Sequence, residues 1–165
     1  MKTALDAALT YLSRRLYTRF EMVQRLGQKG FASDEVEKAL ERLVEWGYLN
    51  DREYALSYCR SRQSSYSKKR IEVELKHKGI EDELVFDVLE ESYLPSQEQA
   101  LCRQQAQKIW SEELRRWESS YQYKKSYAKI PREVFLRQKV GQKLLQKGYS
   151  LELVYHSIDE IAGRD

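Results

Sequence analysis

The stretch Gln28-Lys29-Gly30-Phe31 decides the fold, because its Lys-Gly-apolar core returns as Lys78-Gly79-Ile80 and again as Lys147-Gly148-Tyr149. Superimposing the chain on itself at these glycines aligns Met22 with Ile71 and Val140, and Leu26 with Leu75 and Leu144. Downstream, Val36 meets Val85 and Val154, and Leu40 meets Leu89 and Ile158. Apolar residues four apart share one helix face, a glycine in the left-handed C′ position ends the helix, and the preceding lysine faces the terminal carbonyls. One helical unit is therefore written three times.

The glycines are 49 and then 69 residues apart, so the third copy carries about twenty extra residues, placed between Trp110 and Pro131. The organisation predicted is all-α: a tandem array of three three-helix repeats, 1–49, 50–94 and 95–165, with an insertion around 111–131. A unit that cannot bury its apolar stripe alone stacks on its neighbours, which predicts a curved, elongated molecule.

Start and stop signals place the helices. Thr3 with Asp6 and Thr18 with Glu21 read as capping boxes, and Ser33 reads as the cap of the third helix. The first helix, with Leu5, Ala8, Leu9 and Leu12 as its stripe, is expected to end near Leu16. Trp46-Gly47 closes the first copy, and Asn50 with Glu53 opens the second. Ser67 caps the helix of Ile71 and Leu75, and Asp82 caps the helix of Val85, Val88 and Leu89, which stops before Pro95. The third copy opens with a longer helix holding Ala106, Ile109, Trp110, Leu114 and Trp117. Glu118 to Lys129 reads as a mobile loop before Pro131.

Composition narrows the function. Apolar residues make up 41% and charged residues 33%, with a net charge of +3, which by itself says little about partners. The charge is sorted, however: Arg60 to Ile80 holds seven basic and two acidic residues, Glu81 to Gln99 seven acidic and none basic, and Ala100 to Lys147 twelve basic and four acidic. Cys59 and Cys102 have no ligand spacing, and His77 and His156 have no partner at such spacing, so no metal, cofactor or catalytic group is expected. No apolar run approaches the ~20 residues of a membrane span. A soluble, cytoplasmic, monomeric binding protein is the expectation.

Helix dipoles account for Lys29, Lys78 and Lys147 at helix ends and for the acidic residues at helix starts. They do not account for Lys68, Lys69 and Arg70, which crowd a helix N-terminus where positive charge is disfavoured. With Arg60, Arg62, Lys76 and the neighbouring Tyr58 and Tyr66, these residues form the leading candidate surface for phosphates or an acidic partner. Tyr121, Tyr123 and Tyr127 lie among Lys124, Lys125 and Lys129 in the insertion, where no core is expected to claim them. Tyr48, Tyr54 and Tyr58 are expected to pack at the joint between the first two copies.

The recurrent Lys-Gly stop, the Gly47-Tyr48-Leu49-Asn50-Asp51 joint and the run from Arg70 through Ile80 resemble the RecX family, bacterial regulators of the RecA recombinase. The resemblance spans nearly the whole chain. It departs at Ser67, where members often have glycine, and in the length of the insertion. It implies a three-helix tandem-repeat protein that binds the RecA filament on single-stranded DNA and modulates, usually inhibits, its strand exchange and ATPase, without catalysis of its own. Contacts with RecA or DNA then fall to Arg60, Arg62, Lys68, Lys69, Arg70, Lys76, Lys124 and Lys125. Gly47, Tyr48, Leu49 and Asp51 set the angle between copies. A different class of reading is a helical module that binds DNA or RNA by itself.

Overall fold

The computed structural model describes residues 3–94, 96–127 and 129–163, and among these the chain is all-α. Among the described residues nine α-helices follow one another: α1 Ala4–Leu12, α2 Arg19–Gln28, α3 Ser33–Glu45, α4 Asp51–Arg62, α5 Lys68–His77, α6 Asp82–Ser92, α7 Gln97–Ser119, α8 Arg132–Gln146 and α9 Leu151–Ala162. A short 3-10 turn spans Tyr121–Tyr123. The three Lys-Gly stops end α2, α5 and α8, with Gly30, Gly79 and Gly148 at φ of 87°, 76° and 92°, and Gly47 ends α3 at 73°. The apolar columns that defined the copies are buried: Met22, Leu26, Ile71, Leu75, Val140 and Leu144 are fully shielded from solvent.

The chain divides into two compact units, Met1–Ser61 with Glu72–Ser92, and Arg62–Ile71 with Tyr93–Asp165. The first unit contains a core built by α1, α2 and α3 around Met22, Leu26, Val36, Leu40 and Leu43. Both predicted capping boxes form there, Thr3 with Asp6 and Thr18 with Glu21. Helix α1 turns Ala4, Ala7 and Ala8 inward while Leu9 is partly exposed, because small side chains let α1 lie close against α3. It ends at Leu12, one turn earlier than expected near Leu16. The N-cap of α3 is Ala32, with Ser33 the first helical residue. Asn50 caps α4 as expected, its Oδ1 accepting from the Glu53 amide at 3.1 Å.

The second unit contains a core of α7, α8 and α9 in which Ile109, Trp110, Trp117, Phe135, Leu136, Val140, Val154 and Ile158 pack together. Helix α7 runs 23 residues to Ser119, the longer helix expected there. One expectation is corrected in this region. Tyr121 and Tyr127 are claimed by the core after all, their rings 5.2 and 5.3 Å from Phe135 and 5.3 Å from each other. Aromatic pairs at these distances add stabilisation beyond area burial. Only Tyr123 of the three stands out, 78% exposed. The expectations for Pro95 concern a residue outside the described set; α6 ends at Ser92.

In the first unit, the N-terminus of α2 locks onto the Lys-Gly stop of α5. The Thr18 hydroxyl donates to the Lys78 carbonyl at 2.7 Å. The Lys78 ammonium meets Glu21 Oε1 at 3.1 Å and lies over the rings of Tyr54 and Tyr58. Gly79 abuts Phe20 so closely that a Cβ there would stand 2.3 Å from the phenylalanine Cβ. Burial lowers the Lys78 pKa, but hydrogen bonds to Tyr54 and Glu21 outweigh it and the net shift is upward.

Candidate nucleic-acid interface

A second lock of the same design lies wholly within the second unit. The Ser67 amide donates to the Lys147 carbonyl at 3.0 Å, and a Cβ on Gly148 would meet Ser67 Oγ at 2.5 Å and Arg70 Cβ at 2.7 Å. Ser67 is buried and caps α5, its Oγ accepting from the Arg70 amide at 3.0 Å. The first helical amide, of Lys68, donates to Glu98 Oε1 at 3.0 Å. A carboxylate at the N-terminus of α5 thus offsets the positive end of the dipole that made Lys68, Lys69 and Arg70 unexpected there.

Tyr66 gathers the cations. Arg70 Cζ lies 4.2 Å from its ring centroid, Arg62 Cζ 5.1 Å and Lys147 Nζ 5.2 Å. Each is within cation–π range, and an electron-rich face is one of the few neutral surfaces that attracts rather than tolerates positive charge. Two further hydrogen bonds fix the heads: Arg70 Nη1 donates to the Gln146 carbonyl at 2.6 Å and Lys147 Nζ to the Ser65 carbonyl at 3.1 Å. Around them opens a cleft of about 370 Å³ lined by Tyr66, Arg70, Lys108, Glu112, Lys143 and Lys147, with Gln105, Ile109 and Gln146. Beneath it, buried Glu113 holds Lys143 and, at 3.0 Å, Arg116.

The other candidates scatter. Arg60 pairs with Glu53 at 3.3 Å, and Lys76 with Glu72 at 3.0 Å and Asp82 at 3.4 Å. Lys69 is exposed and Lys68 half-buried on α5. Lys124 and Lys125 are exposed in the insertion, Lys124 Nζ lying 5.0 Å from the Tyr121 centroid. Of the joint residues, Gly47 has the positive φ, Leu49 is buried, and Asp51 Oδ1 accepts from the Arg19 amide at 2.8 Å. Tyr54 is buried and Tyr58 donates to Glu74 at 2.6 Å, whereas Tyr48 is 58% exposed, its ring nearly perpendicular to that of Trp46; it does not pack as expected.

Sequence reasoning brought Arg62 and Arg70 forward but missed Lys108 and Lys143, and it assigned Lys147 to a helix dipole alone. The signal was present in the self-alignment, at positions flanking the apolar columns, where Arg70 stands against Glu21 and Lys143 against Glu74. Among the described residues no group of His, Cys, Asp and Glu could hold a metal ion, and no helix is long and apolar enough to cross a membrane. Both thiols are buried, which raises the pKa of Cys59 and of Cys102.

Comparison with known proteins gives one answer. Residues 4–43 match the first three-helix domain of RecX, and residues 50–89 the second. The chain is 30% identical over 162 residues to the regulatory protein RecX of Legionella pneumophila (strain Corby), covering 98% of this chain and 96% of that one. It is 34% identical over 108 residues to the regulatory protein RecX of Caldanaerobacter subterraneus subsp. tengcongensis, covering 65% of this chain and 55% of that protein. The crystal structure of RecX from Lactobacillus salivarius superimposes with a TM-score of 0.71 at 27% identity, over 96% of this chain and 94% of that chain.

Proposed function

Because the chain belongs to the RecX family of regulatory proteins, we propose that it binds the RecA filament on single-stranded DNA and inhibits its strand exchange and ATPase. The observation that carries this reading is the match to a regulatory protein over 98% of the chain. Such a protein acts by occupancy, in the cytoplasm and as a monomer, and needs no chemistry of its own. Three similar copies present weak contacts to successive RecA subunits, and linked weak contacts give avidity without one large interface.

In this reading Arg60, Arg62, Lys68, Lys69, Arg70 and Lys76 supply the contacts, with Lys124 and Lys125 from the insertion, while Gly47, Tyr48, Leu49 and Asp51 set the angle between copies. The exposed Trp46–Tyr48 pair adds an aromatic surface beside that joint.

The deciding experiment titrates the chain into RecA with single-stranded DNA and follows the DNA-dependent ATPase rate. Inhibition that saturates supports the proposal; a rate unmoved by excess chain overturns it. Replacing Lys68, Lys69 and Arg70 together by Glu is expected to weaken filament binding and flatten its salt dependence, by about one unit of log–log slope for each phosphate no longer neutralised. The second reading, nucleic-acid binding without RecA, draws support from the cations collected on Tyr66. Affinity for bare DNA equal to that for RecA-coated DNA favours it.

A further inference from the structure

The two locks share their mechanics and differ in charge. In the first, Glu21 meets Lys78, and Glu74 accepts from Tyr58. In the second, Lys147 keeps the place of Lys78, but Arg70 stands where Glu21 stood and Lys143 where Glu74 stood. Two carboxylates have become two cations, and α7 brings Lys108 into the same cleft. The charged lining residues of the cleft are Arg70, Lys108, Lys143 and Lys147 against Glu112, with Glu113 paired to Lys143.

Closing the lock does not require this arrangement, since the first lock closes with opposite charges in the same places. Crowding like charges in a half-enclosed cleft weakens the fold unless something offsets it. Tyr66 and the carbonyls of Ser65 and Gln146 hold two of the cations with their heads in place. Those are the parts of an anion receptor: a guanidinium and several ammonium groups on the residues of one cleft, two of them with their heads held before a ligand arrives.

We propose that the cleft bounded by Tyr66, Arg70, Lys108, Lys143 and Lys147 binds a phosphate group. A phosphate offers more oxygens to more donors at once than a carboxylate does. The site stands whether or not the chain binds RecA, and it is open enough to admit a phosphate carrying a further ester group. The phosphate can come from a nucleic-acid backbone or from a free polyphosphate.

The test is a titration of the full chain, without RecA, with inorganic pyrophosphate and separately with oligothymidylate at low salt, followed by calorimetry and by backbone amide NMR. Saturable binding is expected, with shifts at Tyr66, Arg70 and Lys147. Lys108→Glu, an exposed position, and Lys147→Gln are each expected to weaken it by about tenfold or more. Lys38→Glu in the other unit changes the net charge as much as Lys108→Glu does and is expected to leave it within about twofold. Oligothymidylate displacing pyrophosphate assigns the site to a strand; pyrophosphate binding alone assigns it to a free ligand. Binding by neither, or binding insensitive to Lys108→Glu, or equally lost in Lys38→Glu, overturns the proposal. Should Lys147→Gln fail to fold, Lys108→Glu carries the test. RecA ATPase inhibition, measured beside it, keeps the failure of one reading separate from failure of the other.

Discussion

The lock at Gly79 and the lock at Gly148 are built from the same parts: a hydroxyl residue capping a helix, a Lys-Gly stop whose carbonyl that residue engages, and a glycine with no room for a side chain. What differs is the charge around them, carboxylates at Glu21 and Glu74 against cations at Arg70 and Lys143. The mechanical work therefore rests on backbone groups, a buried hydroxyl and steric closeness. The charges at the flanking positions differ between the two locks while the closure is kept.

The sharpest way to break the comparison is at the glycines. Gly79→Ala and Gly148→Ala each force a methyl into occupied space at positive φ, and are expected to cost about 2–5 kcal/mol. Gly30→Ala has open space around it and is expected to lose only about 1–2 kcal/mol from backbone conformation. Urea unfolding of the three variants reads the difference, and equal losses would mean that tight packing contributes nothing to the locks.

Glu113 belongs to the second lock alone, as the buried anchor of Lys143. Glu113→Gln is expected to lower stability by about 1–3 kcal/mol while raising phosphate affinity, because it removes a negative charge under the cleft. A thermal melt beside the pyrophosphate titration checks whether the two move in opposite directions.

Exchanging the charges sharpens the comparison further. Glu21→Arg destroys the Thr18 capping box and the ion pair with Lys78, and is expected to cost about 1–2 kcal/mol. Arg70→Glu restores a capping-box glutamate beside Ser67 and is expected to stay within about 1 kcal/mol of the parent, with phosphate binding abolished. Chemical denaturation of both variants measures the asymmetry.

The smallest effect is one of pH. The Lys78 pKa is raised in the folded chain above its ordinary value of 10.5, so the charged lysine stabilises the fold. That contribution is complete below pH 10.5 and disappears as pH rises through the raised value. The stability gap between the parent and Lys78→Gln is expected to narrow above pH 10.5 and to be flat at neutral pH; denaturation midpoints across the alkaline range test it.

Local signals were the legible ones. Thr3 with Asp6, Thr18 with Glu21, and the Lys-Gly stops could be read because capping and the left-handed glycine are decided within four or five residues. The apolar columns were legible because a repeated unit exposes its own core by self-comparison. Illegible were contacts made by distance in space. Nothing local indicates that Tyr121 and Tyr127 turn back onto Phe135, that Tyr48 faces solvent, or that Glu113 is buried. The cleft is the extreme case, since α5, α7 and α8 each contribute to it and no single stretch displays its charge. The contact roles of Lys68, Lys69, Lys124 and Lys125 rest on the RecA proposal.

The Thr18 hydroxyl and its acceptor on Lys78 are 60 residues apart, and that separation bears on the order of events during synthesis. Closing a loop of that length costs about 3–4 kcal/mol of chain entropy before any contact repays it. As the chain leaves the ribosome, α1 to α3 can condense around Met22 and Leu40 early. Phe20 and Thr18 then remain without their partners until α5 has emerged and ended at Gly79. The first three helices are therefore born with one unfinished edge, and a pause in translation before Gly79 would prolong the interval in which that edge can find the wrong chain.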